Sequence, residues 1–235
     1  MRVMFLQHDP GSRPALLGEL LAERGAEPTI VRMSQDLTDG TWHGEFPDPV
    51  AFDLVVPLGA IWSLYDRSQV GTWIDRELDL LRRADEHDVP VLGICFGAQA
   101  LAAAHGGEVV PADRPELGWL PVASHDPERI PPGPWMQWHS DRVELPPGAV
   151  ELARNEVCTQ AFVLRRNLGV QFHPEVDTAT VRAWVELGGR PAEAVMAAAG
   201  TSADEVLADS ARHEARARED LARLVDRFLA DVGLA

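Results

Sequence analysis

The stretch "VPVLGICFGAQALAAAHGG", residues 89–107, decides the fold and raises the first question about function. An apolar run ends at Cys95, and a small, Ala-rich run begins directly after it and closes with two glycines. This pattern predicts a buried strand that turns straight into a helix. Gly93 and Gly97 stand two residues on either side of Cys95, where they leave room for the crowding of such a turn.

A cysteine on such a turn could act as a nucleophile. The turn lifts the side chain out of the sheet, and the helix N-terminus favours a thiolate. The N–H of the next residue, Phe96, would point toward an oxyanion formed on an acyl substrate. A lone cysteine among apolar residues is more often inert core, so these letters alone leave both interpretations open. Cys158, in "NEVCTQAF", lacks this setting and is predicted to be core.

Strands and helices alternate along the first half of the chain. Before the opening stretch, the pattern predicts strands at 2–6, 28–33 and 52–59 and helices at 14–25 and 70–88. This order predicts an α/β fold of three layers, with a mostly parallel central sheet flanked by helices. Short β-like runs between about 108 and 172 predict further strands, some antiparallel, that join the same sheet.

The C-terminal part, from residue 178, is Ala-rich and predicted to be helical. Two or three helices are expected, with breaks at glycines and a proline: Gly188, Gly189, Pro191 and Gly200. The last helix, at 220–232, carries an apolar stripe that favours packing on the sheet over a coiled-coil contact with a partner. We predict one domain over 1–235, with a helical insertion or extension at about 188–213.

Composition narrows the function classes. The 235 residues are 46% hydrophobic and 25% charged, which suits one sizeable core. A net charge of -16 argues against a nucleic-acid or anionic-membrane surface. No apolar run reaches the roughly 20 residues that span a bilayer, and no signal peptide is apparent. Two distant cysteines suggest no disulfide framework, so a cytoplasmic protein is expected. No metal-ligand spacing or phosphate loop appears, so neither metal nor cofactor is expected.

A thiol nucleophile needs a base, and His173 is a candidate. It stands in "LGVQFHPEV", just past an apolar strand, and Glu175 follows two residues later. In an extended segment these side chains point to the same side, so Glu175 could bond one ring nitrogen and leave the other facing Cys95. A solvated loop could carry the same letters. His8 and His43 lie in polar loops, where a solvated histidine is the favoured interpretation.

Taken together, "GICFGAQ" and "QFHPE" resemble the class I glutamine amidotransferases, the triad glutaminase domains. The resemblance covers most of residues 1–187, and it is greatest to stand-alone members similar to the glutaminase domain of GMP synthase. It includes "DLVVPLGAIWSLYD" (53–66), "ELGWLPV" (116–122) and "WHSDRVELPPGAVELA" (138–153). The resemblance implies the flavodoxin-like fold of that family.

The resemblance also implies roles for the candidate catalytic residues. Cys95 attacks the side-chain amide of glutamine, and a thioester forms that water then hydrolyses. His173 takes the thiol proton and passes it to the departing ammonia, while Glu175 orients His173. The oxyanion is held by the N–H of Phe96 and by a second N–H from the loop after the third strand. Gln99 matches a position that contacts the substrate.

Two further segments match binding elements of the family. His139, Ser140 and Asp141 match a loop that holds the amino-acid end of glutamine, largely through backbone groups. The oxyanion loop departs from the family, since many relatives have Gly-Gly-Pro where this chain has Gly59-Ala60-Ile61. The second donor would then come from Gly59 or Ala60. Because alanine resists a positive φ, we expect the hole to form differently, to need a partner, or to be absent.

Three functions follow as hypotheses. The first is a glutamine amidotransferase that passes ammonia to an unknown acceptor or to a synthetase subunit. The second is a hydrolase of γ-glutamyl amides or peptides that uses the same triad. The third is a non-catalytic binding subunit on this fold, motivated by the altered oxyanion loop. The expected ligand is glutamine or a γ-glutamyl amide, with no nucleic acid and no membrane as partner.

Overall fold

A computed structural model describes residues 1–235. Ten strands and six α-helices alternate much as the sequence predicts. The strands are β1 (Arg2–Gln7), β2 (Glu27–Arg32), β3 (Leu54–Pro57), β4 (Leu92–Ile94), β5 (Glu108–Leu120), β6 (Ala123–Ser124), β7 (Trp135–Glu144), β8 (Val150–Arg154), β9 (Thr159–Leu164) and β10 (Asn167–Val170). The helices are α1 (Ala15–Glu23), α2 (Arg67–Val70), α3 (Ile74–Glu86), α4 (Phe96–Ala104), α5 (Thr178–Ala198) and α6 (Ala203–Asp231).

The central sheet is mostly parallel. Strands β2, β1 and β3 pair in that order, all parallel. A parallel bridge between Val55 and Val91 continues the sheet to β4, which is followed by β10, β9, β8 and β6. Strand β10 runs parallel to β4, and the last three strands are antiparallel. The carboxyl ends of β1, β3, β4 and β10 therefore meet at one edge, where α/β folds build their sites.

Two apolar cores cover the two faces of this sheet. Side chains alternate along β1, so Val3 and Phe5 face one core, while Met4 and Leu6 face the other. Helices α1 and α6 pack on the first face, and α3 and α4 pack on the second. The predicted three-layer α/β fold is therefore confirmed, as is the packing of the final helix on the sheet.

Strands β5 and β7 do not join the central sheet, contrary to our prediction. They pair only with each other, as a long antiparallel ribbon with an irregularity between Pro111 and Glu116. The physical reason is that Pro111 and Pro115 have no N–H to donate to a second neighbour, which restricts β5 to an edge position. A single bridge from Met136 to His173 ties the ribbon to the residues after β10.

Helices α5 and α6 pack on this ribbon. Gly189 interrupts α5 with φ 49° and ψ −137°, and Gly200 lies between the helices with φ 74°, so two of the predicted breaks are confirmed. A small core of seven buried residues joins the helices to the ribbon: Leu117, Met136, Val176, Val181, Ala192, Met196 and Val206. The single domain and the extension at 188–213 stay predictions.

None of the helices combines the length and the apolar composition that crossing a bilayer requires. The cytoplasmic location stays a prediction.

Candidate active site

Cys95 occupies the sharp turn between β4 and α4. Its backbone has φ 50° and ψ −108°, which is a strained conformation for a residue with a side chain. A Cβ on Gly93 would lie 2.7 Å from the Gly97 carbonyl oxygen, and a Cβ on Gly97 would lie 2.0 Å from that of Pro57. Only glycine fits at either position. The strand–turn–helix predicted from the spacing of the two glycines is therefore present.

His173 and Glu175 follow β10 at the same edge of the sheet. Nδ1 of His173 lies 2.8 Å from Oε1 of Glu175, and both side chains are buried. The His173 backbone N–H donates to the Met136 carbonyl at 2.8 Å, and the edge of the Trp184 ring packs on the imidazole with 4.8 Å between centroids. One backbone hydrogen bond and two ring contacts thus hold His173 in place, and Nε2 is the ring nitrogen that Glu175 leaves free.

Two neighbouring groups stabilise the charged form of the His173 imidazole. Burial acts to lower the pKa of His173, but the negative charge of Glu175 and the interaction with Cys95 outweigh burial and raise this pKa well above its usual value of 6.5. The structure therefore brings Cys95, His173 and Glu175 together, with the histidine between the other two. Such a set can transfer protons to and from a thiol nucleophile.

Two backbone segments beside Cys95 carry free donors. The N–H groups of Gly59, Ala60 and Phe96 meet no acceptor within the protein. Phe96 is the first residue of α4, where helical N–H groups have no partner in their own helix. Gly97 N–H donates to the Leu58 carbonyl at 3.0 Å, which joins the two segments.

The loop of Gly59 and Ala60 needs no unusual backbone conformation. Neither residue has a positive φ. The side chain of alanine therefore causes no strain here, and the reason for expecting a differently formed loop does not apply.

Gln99 is buried and connects to Cys95 through a second glutamine. Its Nε2 donates to Oε1 of Gln171 at 3.2 Å, and Nε2 of Gln171 lies 3.5 Å from the Cys95 sulfur. Sequence reasoning missed Gln171. A signal was available, because Gln171 stands two residues before His173 in an extended segment and therefore points to the same side.

The segment His139, Ser140 and Asp141 lies on β7 and lines the same cavity as Cys95 and Gln99. Nδ1 of His139 lies 2.9 Å from the Asp141 carbonyl oxygen, and Asp141 Oδ1 accepts a hydrogen bond from the hydroxyl of Tyr65 at 2.8 Å. Ser140 is exposed. The structure thus brings the three residues to the site, with Ser140 as their solvent-facing member.

Behind this segment lies a buried network around Glu116. Its carboxylate accepts hydrogen bonds from Asn155 Nδ2 at 2.6 Å and Gln160 Nε2 at 2.9 Å, and it lies 3.2 Å from His139 Nε2. Burial and the neighbouring Glu116 raise the pKa of Cys158 to about 12, so this thiol stays protonated. Ligand atoms of Glu116, His139 and Cys158 lie within 4.8 Å of one another, but they are satisfied by hydrogen bonds without an ion.

His8 is fully buried, so the prediction of a solvated loop histidine is wrong. Its Nε2 lies 3.1 Å from both carboxylate oxygens of Glu77, and its Nδ1 lies 3.0 Å from the Gly59 carbonyl oxygen. Burial acts to lower the pKa of His8, but Glu77 outweighs it and the pKa is raised. The position of His8 in the sequence could have indicated its place beside the site, because it directly follows β1 at the edge where the site lies.

The cavity above Cys95 has a volume of about 580 Å³. Cys95 and His173 lie on one part of its wall, and α5 supplies the adjoining part through Trp184, Leu187 and Pro191. This volume falls within the roughly 300–1,000 Å³ that is typical of small-molecule binding pockets. The helical segment after residue 178 therefore helps to shape the site.

Known proteins are similar to this chain in sequence and in fold. The sequence profile of the family described as "Glutamine amidotransferase class-I" matches residues 15–184. GMP synthase [glutamine-hydrolyzing] of Thermomicrobium roseum is 43% identical over 104 residues, which are 39% of this chain and 19% of that protein. The Burkholderia mallei enzyme of the same name is 34% identical over 151 residues, covering 55% of this chain and 27% of that protein. The chain thus spans only a minor part of these relatives.

Solved structures cover nearly the whole chain. A glutamine amidotransferase from Methylobacillus flagellatus has a TM-score of 0.82 at 29% identity, covering 98% of this chain and 94% of the other. One from Thermotoga maritima has a TM-score of 0.82 at 24% identity, with coverage of 97% and 98%, and so shows the fold alone. Because the family profile matches well over half of the chain, the protein belongs to the class I glutamine amidotransferases, a family of glutamine-hydrolysing enzymes.

Proposed function

We propose that this chain hydrolyses the side-chain amide of glutamine through a thioester on Cys95. The Cys95 thiolate attacks the amide carbon, a C–S bond forms, and the carbonyl π electrons move to oxygen. When the C=O bond forms again, the C–N bond breaks, and Nε2 of His173 gives its proton to the departing nitrogen, which leaves as ammonia. The observation that carries this proposal is the arrangement of Cys95, His173 and Glu175.

The second half of the reaction restores the enzyme. Water attacks the thioester carbon while His173 takes a proton from that water, and the C–S bond then breaks to release glutamate. Glu175 holds Nδ1 of His173, so that Nε2 carries the proton in both halves. His173 thus gives one proton to the leaving nitrogen in the first half and takes one from water in the second, which returns Cys95 and His173 to their starting state.

The oxyanion formed in both halves needs hydrogen-bond donors. The free N–H groups of Phe96 and of the Gly59–Ala60 segment support this role, because they flank Cys95 and meet no acceptor in the protein. Donors of this kind act where charge develops, and removing one costs roughly 10²–10³ in kcat. Gln99 and the segment 139–141 line the cavity and would hold the remainder of the substrate.

The fate of the ammonia is a separate part of the proposal. Relatives named GMP synthase [glutamine-hydrolyzing] pair glutamine hydrolysis with synthesis. By analogy, we expect the ammonia to reach an acceptor, with a synthetase subunit as the partner. The site residues themselves do not select this acceptor.

Release of glutamate and ammonia from glutamine tests the proposal, with Cys95→Ala as the control. We expect turnover by the wild type that the substitution abolishes, with or without candidate synthetase subunits. Equal inactivity of the folded wild type and variant toward glutamine and γ-glutamyl amides, together with no labelling of Cys95 by a glutamine-like electrophile, would favour the non-catalytic subunit.

The cavity favours a second candidate, the hydrolysis of γ-glutamyl amides that carry an apolar group on nitrogen. His173 must protonate the departing nitrogen, so the leaving group has to lie beside His173. The Trp184 ring lies there, fixed by a hydrogen bond from Nε1 to the Gly11 carbonyl at 2.8 Å. Leu187 and Pro191 extend this wall. An alkyl or aryl substituent would bury its apolar surface there, whereas glutamine leaves this wall uncovered.

Comparing kcat/KM for glutamine with that for γ-glutamyl alkylamides and anilides tests this candidate. We expect the substituted amides to be preferred, and Leu187→Asp to reduce that preference about tenfold by placing a charge against the substituent. Val150→Asp is the matched control, because Val150 is also exposed but lies outside the cavity. A preference for glutamine in the wild type would contradict this candidate and leave the first one standing.

A further inference from the structure

A second buried ion pair holds the loop that carries the candidate oxyanion donor. His8 lies between Glu77 on α3 and the carbonyl oxygen of Gly59, at 3.1 and 3.0 Å. Both of these partners are hydrogen-bond acceptors. The ring satisfies both only when both of its nitrogens carry protons, so His8 is an imidazolium that donates to Gly59 through Nδ1.

Because the peptide bond is planar, the contact between the Gly59 carbonyl and His8 also fixes the direction of the Ala60 N–H. In a trans peptide the carbonyl of one residue and the N–H of the next point in opposite directions. Because the Gly59 carbonyl points at His8, the Ala60 N–H points away from it. Ala60 lines the cavity together with Cys95, and a Cβ on Gly59 would lie 3.0 Å from Cε1 of His173, so this peptide lies at the reacting centre.

The neighbouring residue is held as well. Asp9 is buried, and its Oδ2 accepts the Ile61 N–H at 3.0 Å. The donor between these two anchors, Ala60 N–H, meets no acceptor in the protein. Rotating the Gly59–Ala60 peptide would bring this N–H against the N–H of His8 and would put a carbonyl oxygen where the oxyanion forms. Both changes are unfavourable, so His8 selects one orientation.

The ring of His8 is itself fixed in place. It stacks on Trp73 with 5.4 Å between centroids, and it lies 4.9 Å from the ring of Phe96, whose backbone supplies the other free donor. The negative groups that face it are Glu77 and Asp9. We propose that His8, oriented by Glu77, is a positioning residue that aims the Ala60 N–H at the oxyanion of the reaction. This inference rests on the proposed function.

Two amide variants of His8 test the inference as a matched pair. In His8→Asn the side-chain NH₂ takes the place of Nδ1 and keeps a donor for Gly59, whereas His8→Gln reaches toward Glu77 and loses that donor. We expect kcat of the Asn variant to stay within about threefold of the wild type. The Gln variant should lose about 10- to 100-fold in kcat with little change in KM, at or below the roughly 10²–10³ that one oxyanion donor is worth.

The rate at which iodoacetamide alkylates Cys95 is the control for folding, because a loss of structure around Cys95 would change this rate. That reaction displaces iodide and forms no oxyanion, so its rate should be the same in the wild type and both variants. Equal losses of kcat in the Asn and Gln variants, or an unreduced kcat in the Gln variant, overturn the inference. Wild-type turnover that Cys95→Ala abolishes establishes the proposed function separately, so these outcomes concern His8 alone.

A crystal structure of the wild type treated with a chloroketone analogue of glutamine makes the test independent of variant folding. The thiolate displaces chloride and forms a thioether, and the ketone oxygen of this adduct lies beside the reacting centre, where the oxyanion would form. We expect the Ala60 N–H within hydrogen-bond distance of this oxygen and the Gly59 carbonyl still on His8. A Gly59 carbonyl that faces the adduct overturns the inference.

Discussion

Among the buried histidine–glutamate pairs near Cys95, His173–Glu175 and His8–Glu77 differ in what the second ring nitrogen faces. In the His173–Glu175 pair it faces a thiol that can gain and lose a proton. In the His8–Glu77 pair it faces the carbonyl oxygen of Gly59, which only accepts. Both histidines have a raised pKa because a carboxylate outweighs the effect of burial. The same chemical pair can therefore move a proton in one place and fix a backbone in another.

Access to the cavity separates the two pairs as well. His173 lines the cavity, and its side chain keeps 6% exposure. The side chains of His8 and Glu77 have 0% exposure and do not line it. Of these four side chains only His173 lines the cavity, so substitutions should affect the chemical step in the first pair and act through backbone geometry or stability in the second.

The largest effect is expected from His173→Gln. The glutamine side chain cannot take the thiol proton or deliver it to the leaving nitrogen, so kcat should fall by about 10⁴-fold or more. Steady-state hydrolysis of the best γ-glutamyl substrate measures this loss, with circular dichroism as the control for folding. A loss smaller than that of His8→Gln would reverse the roles that we give to the two histidines.

Glu175→Gln should have the next largest effect. It removes the negative charge that raises the pKa of His173, so this pKa falls and the alkaline limb of the kcat/KM profile moves to lower pH. We also expect kcat to fall by roughly 10²–10⁴, because the ring loses its orientation. The pH–rate profile is the measurement, and an alkaline limb at the wild-type position would argue that Glu175 does not act on His173.

Glu77→Leu tests the second pair through stability. The change leaves the buried His8 without its carboxylate, and breaking a buried ion pair by removing one partner costs roughly 3–5 kcal/mol in the free energy of unfolding. Asp79→Leu is the matched control on the same helix, since Asp79 is 72% exposed and should cost about 0.5 kcal/mol or less. Urea unfolding measures both, and equal losses would contradict a buried charged pair.

The smallest effect is the pH dependence of stability. The folded pKa of His8 lies above its ordinary 6.5, so its contribution is full below pH 6.5 and is lost as pH rises through the folded value. His8→Asn removes this contribution. The stability gap between wild type and variant should therefore narrow with rising pH, by about 1.4 kcal/mol per unit of raised pKa. Thermal unfolding from pH 6 to 9 measures the gap, which a neutral His8 would leave constant.

The sequence predicts the first pair because its parts are local. Gly93 and Gly97 fix the turn at Cys95 by steric crowding alone, and His173 and Glu175 are two residues apart in an extended segment. Alternating apolar segments likewise predict the parallel sheet. In each case the structure follows from residues that are close together in the sequence, so the local sequence pattern is sufficient to predict it.

The second pair escapes such prediction because it depends on tertiary contacts. His8 stands among polar letters, and its partner Glu77 comes from the buried face of α3, 69 positions away. Helical spacing places position 77 on the apolar face of α3, but a glutamate is rarely buried without a partner, and only the meeting of β1, β3 and α3 supplies that partner. The separate ribbon of β5 and β7, and the wall that α5 adds to the cavity, also depend on how distant segments pack.

The contact between Gly97 and the end of β3 has a mechanical consequence. Gly97 N–H is bonded to the Leu58 carbonyl at 3.0 Å, and its α-carbon lies directly against Pro57. The segments that present the Phe96 and Ala60 donors are therefore joined directly, and a docking subunit could not pull them apart without breaking this bond. Within the joined pair, only a rotation of the Gly59–Ala60 peptide would remove one donor and leave the other. We expect control of the enzyme to act instead through α5, which breaks at Gly189 beside the cavity.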